Sequence, residues 1–123
     1  MAAVAVLAAS GCTGGGDDQP STGDFRAGGC QRLAPDVLTI ARGAVKLGSS
    51  ASPPQDVRDS LAAAQNRIRA AQPGLEPDLT KATDALVVLV GVVRLRSDTH
   101  TYVPSLGGEL RQAADQLVTI CAT

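Results

Sequence analysis

From Leu33 onward, apolar residues return at alternating steps of four and three: Leu33, Val37, Ile40, Ala44 and Leu47. That spacing keeps side chains on one face of a helix. The pattern stops at Gly48 and the loop "SSASPP", where Ser52 and Gln55 have the separation of a capping box and proline suits the first turn of a second helix. This second segment sets Val57, Leu61, Ala64, Ile68 and Ala71 on one seam. Asp56, Arg58, Asp59, Gln65, Asn66, Arg67 and Arg69 surround the seam as a solvated outer face. "QPGLEP" ends it. A third seam runs through Leu79, Ala82, Leu86, Leu89 and Val93, and a fourth through Val103, Leu106, Leu110, Ala113, Leu117 and Ile120. Pro104 fits only in the first turn of the fourth helix or at a kink there. Four such segments with short connections predict an all-α, up-down-up-down four-helix bundle.

The third segment departs from the others. In "ALVVLVGVVRL", residues 85–95, Val88, Val92 and Leu95 are apolar but lie off the seam. Valine favours strands, so a buried strand competes with helix here. The helical patterns on either side leave no partner strand, and helix is the expectation. The extra stripe reads either as a wide core contact or as a surface that meets a partner, a second copy or a lipid chain. Gly91 would let another backbone or an acyl chain come close. Arg94 and Arg96 end the same helix and, were the stripe a lipid site, could hold a head group. Val88, Gly91, Val92, Arg94, Leu95 and Arg96 form the candidate surface.

Upstream of the helices, "VLAASGCTGGGDD" sets Cys12 between an apolar run and a glycine tract. A cysteine there is a disulfide partner, a metal ligand or an attachment point. Residues 2–9, "AAVAVLAA", are apolar and uncharged and lead into small residues, the arrangement of an export signal. The stretch "AASGC" resembles the lipobox of bacterial, actinobacterial-type lipoprotein precursors. By position, Ser10 and Gly11 are the small residues before the cut, and Cys12 becomes the lipidated N-terminus. Ala9 stands where such precursors most often carry leucine. The resemblance implies an export signal at 1–11, with its basic start expected upstream of Met1, then a lipidated cysteine and tether at 12–29 and a folded domain at 30–123. Residues 13–24 contain no apolar side chain able to pack. A flexible tether of about sixteen residues reaches roughly 20–24 Å.

With Cys12 lipidated, Cys30 and Cys121 remain as a pair in an oxidising compartment. A bond between them would enclose about ninety residues and contribute around 4–5 kcal/mol in the chain-entropy model. Free buried thiols are the alternative. A metal site would need further Cys or His neighbours at ligand spacing, and none is near. In an up-down-up-down bundle the first helix begins at the end where the fourth finishes, which is where these cysteines must meet.

Composition narrows the function further. Of 44 % apolar residues only Phe25 and Tyr102 are aromatic, so the core is aliphatic and suits closely packed helices. The net charge of −1 comes without a basic block, which argues against nucleic-acid binding. Arginine supplies nine of eleven cations, a bias expected of a GC-rich bacterial genome. The single histidine, His100, lies in the polar turn "SDTHTY"; with Tyr102 it could ligate haem or metal, but such residues are ordinarily solvated. No GxSxG, HExxH, P-loop or GxGxxG occurs. No catalytic residue, metal or cofactor is expected. The reading is a non-enzymatic lipoprotein on the extracytoplasmic face of the cell membrane. Its domain docks on another envelope protein or on itself. The alternative is a carrier of an apolar or acyl ligand at the third helix, disfavoured because alanine-rich seams leave little cavity.

Overall fold

The structure, a computed structural model, describes residues 21–48 and 51–122. Four helices make up the fold: α1 (Gly29–Gly48), α2 (Gln55–Ala71), α3 (Pro77–Asp98) and α4 (Ser105–Cys121). No strand occurs among the described residues, and "ALVVLVGVVRL" is helical throughout. Each helix lies beside its neighbours in sequence, and α4 returns to pack on α1, so the expected four-helix bundle is formed. Cys30 and Cys121 are bonded, with Cα atoms 5.5 Å apart, and both are buried.

All five residues of the α1 seam are buried, as are Val57, Leu61, Ala64 and Ile68 of α2. Elsewhere the structure corrects the sequence pattern. On α3 the buried seam is Leu79, Thr83, Leu86, Val90, Val93 and Ser97, while Ala82 and Leu89 stand at its margin. Two hydroxyls can take core positions because Thr83 Oγ1 donates to the Leu79 carbonyl (2.8 Å) and Ser97 Oγ to the Val93 carbonyl (2.7 Å). Val103 precedes α4 and is exposed; Gly107, Leu110, Ala114, Leu117 and Cys121 form the buried face instead. The Ser52–Gln55 capping box is not made. Pro54 is the N-cap of α2 and leaves Ser52 two residues outside the helix.

Packing also begins ahead of Cys30. Phe25 is buried and pairs across an antiparallel bridge with Ala122, and the Arg26 amide donates to the Cys121 carbonyl at 2.8 Å. Gln31 Nε2 fastens the same segment through the Phe25 carbonyl (2.6 Å). Residues 25–29, expected to belong to a tether, are thus held on the bundle, because an aromatic side chain in the apolar interior fixes the chain at residue 25. Residues 1–20, which hold Cys12 and the stretch expected to be an export signal, lie outside the described residues.

At the far end of the bundle, α3 finishes in a Schellman motif. The Thr101 amide donates to the Arg96 carbonyl (2.8 Å) and the His100 amide to the Ser97 carbonyl (3.3 Å). His100 occupies the left-handed position with φ 58°. Tyr102 then donates its hydroxyl to the Leu47 carbonyl (2.7 Å), tying this turn to the end of α1.

Candidate functional site

The outer face of α3 is built from the residues its core does not use. Ala85, Val88, Val92 and Leu95 follow steps of three, four and three, which align them along one side of a helix. That side is opposite the Leu79–Ser97 seam. Val88 and Leu95 are each 62 % exposed, more than any other large apolar side chain among the described residues. Val92 between them is half-buried. One helix thus hides two hydroxyls and displays two large aliphatic side chains, the reverse of what burial alone would favour.

The other members of the candidate surface separate. Gly91 sits on the flank toward α2, where an added Cβ would be 3.5 Å from Gln65 Nε2, an ordinary contact. It makes no close approach on the outer face. Arg94 turns to the same flank and donates from Nη1 to Gln65 Oε1 at 2.7 Å. Arg96, exposed on the opposite flank, forms no ion pair among the described residues. Residues two apart on a helix are separated by roughly 200° around its axis, so these two arginines cannot close on one head group. The outer face reduces to Val88, Val92 and Leu95, with Arg96 at its edge.

Gln65, expected on a solvated face, is buried and central to the α2–α3 contact. Its Nε2 donates to the Val87 carbonyl (2.9 Å) while its Oε1 accepts from Arg94. Asp36 is a second buried polar group that the sequence pattern does not single out. Arg67 Nε reaches it at 2.6 Å from a side chain that is otherwise largely exposed. Both are polar residues that only their neighbours on another helix make burial-compatible.

Among the described residues, two clefts lined mainly by polar side chains open on the surface. One, of about 240 Å³, lies over Gly43 between Arg42 and Lys46 of α1 and Asp56 and Ser60 of α2. The other, of about 90 Å³, lies between Arg58 and Asp59 of α2 and Arg94 and Asp98 of α3. His100 and Tyr102 do not converge on a ligand: His100 is exposed as a helix cap and the Tyr102 hydroxyl is spent on Leu47. Burial raises the Tyr102 pKa above its ordinary value, with the Gly107 backbone acting in the opposite direction. Among the described residues no three His, Cys, Asp or Glu side chains group as metal ligands, and no helix is long and apolar enough to cross a membrane. The chain matches no family model, no curated protein and no solved structure.

Proposed function

We propose that the chain is a lipoprotein, fastened through Cys12 to the extracytoplasmic face of the cell membrane, whose helical bundle docks through the outer face of α3. The observation that carries the docking is the display of Val88 and Leu95 on a helix whose own core seam accepts Thr83 and Ser97. A contiguous aliphatic stripe left in water costs solubility and is retained where another surface covers it. The anchor rests on the "AASGC" stretch, and the buried Cys30–Cys121 bond fits an oxidising compartment. The carrier alternative draws less support, since both described clefts are lined mainly by polar side chains.

The test places a photo-crosslinking residue at position 88 of the full chain in a GC-rich bacterial host, and at position 45 as control. Val45 is 49 % exposed on α1 and lies away from the stripe. Discrete adducts at 88 but not at 45, removed by Leu95→Asp, are expected. In parallel, Cys12→Ser should move the chain from the membrane to the soluble fraction. Equal labelling at both positions would sink the docking face, and a Cys12→Ser chain that stays on the membrane would sink the anchor.

A further inference from the structure

We infer that the bundle opens along the α2–α3 seam, pivoting at Gln72–Gly74 and latched at the far end by Arg58 and Asp98. Two of the other seams, α1–α4 and α1–α2, are held by covalent or close-packed means. α1 and α4 share the Cys30–Cys121 bond at one end. At the other they cross so closely that a Cβ on Gly107 would lie 2.7 Å from the Gly48 nitrogen. α1 and α2 interlock at Gly43, where a Cβ would come within 3.1 Å of Leu61 Cδ2, and are bridged again by Asp36 and Arg67. A polar cleft also lies between these two helices, beside Gly43.

α2 and α3 touch least of the adjacent pairs, and polar side chains recur along their junction. Near the turn, Gln72 Nε2 donates to Thr83 Oγ1 (3.0 Å) and Asp84 Oδ1 (2.7 Å). At mid-length Gln65 spans from the Val87 carbonyl to Arg94. At the far end Arg58 pairs with Asp98, beside a polar cleft lined by Arg58, Ala62, Arg94 and Asp98. Contacts of this kind trade protein partners for water at small net cost, and the exposed pair is weakened by salt. The one-turn connection Gln72–Gly74 holds the near ends together, so separation proceeds from the Arg58–Asp98 end. It bares the aliphatic wall of Leu61, Ile68, Leu86 and Val90 while α1 and α4 stay joined. This is a sub-global unit of the kind that hydrogen exchange resolves.

Native-state hydrogen exchange on the full chain with its disulfide intact tests the opening. Amides of residues 55–66 and 86–98 are expected to exchange through a shared event with a weaker denaturant dependence than those of α1 and α4. Arg58→Ala should raise exchange through that event two- to five-fold. Salt at 1 M should do the same in the unaltered chain and little in the variant. Phe25→Leu, at the opposite end, should speed α1 and α4 and leave the α2–α3 event unchanged. A chain in which both variants shift all four helices by one common factor, or in which α2 and α3 exchange as slowly as α1 and α4, would overturn the proposal. Neither result bears on the Cys12 anchor or the Val88 face, which the crosslinking experiment reads separately.

Discussion

Gly107 lies against Leu47 at the crossing of α4 over the end of α1, where a Cβ on the glycine would come within 3.0 Å of both the carbonyl carbon and the Cβ of Leu47. Two of those neighbouring atoms, the Leu47 carbonyl carbon and the Gly48 nitrogen, are backbone and cannot rotate away. Gly107→Ala should therefore force the helices apart and destabilise the fold by about 1–3 kcal/mol, the range for overpacking. Gly108, one residue on, meets nothing within 4 Å of the same added atom. Gly108→Ala should raise stability by up to about 1 kcal/mol through helix propensity alone. Urea unfolding of the two variants makes the comparison; equal effects would show that the crossing is looser than described.

His100 closes α3 with φ 58°, a conformation glycine adopts without the steric cost that a β-carbon brings. Its side chain is exposed, so nothing is lost by removing it. His100→Gly should stabilise the chain by about 1 kcal/mol with the Thr101–Arg96 and His100–Ser97 hydrogen bonds retained. A melting temperature that falls instead would mean that the imidazole has a partner beyond the bundle.

The register of α1 was legible because its five seam positions are all aliphatic and all buried. α3 was harder. Thr83 and Ser97 look polar in sequence, yet each hydroxyl is satisfied by a carbonyl one turn back, so the seam shifts away from Ala82 and Leu89. Spacing set Val88, Val92 and Leu95 off the seam but left open whether they widen the core contact or face outward; the exposure of Val88 and Leu95 decides it. The inward turn of Gly91 and Arg94 was not legible, because it depends on Gln65 of another helix, a residue whose local pattern reads as solvated. Phe25 carries no sequence signal of a packing residue, for a similar reason. It stands alone among glycine and polar neighbours, and only its bridge to Ala122, distant in sequence, brings it inside.

Tyr102 links the α3–α4 turn to α1 through the Leu47 carbonyl, and burial raises its pKa. The neutral phenol is thus favoured by folding. Its contribution is fully present below about pH 10, the value in the unfolded chain, and is lost as pH rises from there through the raised folded value. Tyr102→Phe should cost about 0.5–1.5 kcal/mol at pH 7 for the lost hydrogen bond. The difference between the two chains should narrow above pH 10, where the tyrosine must ionise on unfolding. Denaturant titrations at pH 7, 9 and 11 read this directly; a gap that widens with pH would contradict the assignment.

Phe25 and the Cys30–Cys121 bond act on the same end of the bundle, and their contributions should be coupled. Replacing both bonded cysteines by serine restores the entropy of a long open chain to the unfolded state and should cost about 4–5 kcal/mol. Phe25→Ala removes a side chain that is 2 % exposed and should cost about 3–5 kcal/mol. Each is a large part of the 5–15 kcal/mol typical of a whole domain, so Phe25→Leu keeps the combined variant measurable. Phe25 is seated by the Arg26–Cys121 hydrogen bond and the bridge to Ala122, both of which need the last residues of α4 held in place. Without the disulfide that end frays, and the aromatic ring loses part of its pocket before any substitution is made. Phe25→Leu should therefore cost less in the cysteine-free chain than in the bonded one, by 0.5 kcal/mol or more, in the range for residues that share partners. Urea midpoints of the four chains close the cycle, and strictly additive costs would mean that Phe25 is seated by α1 alone.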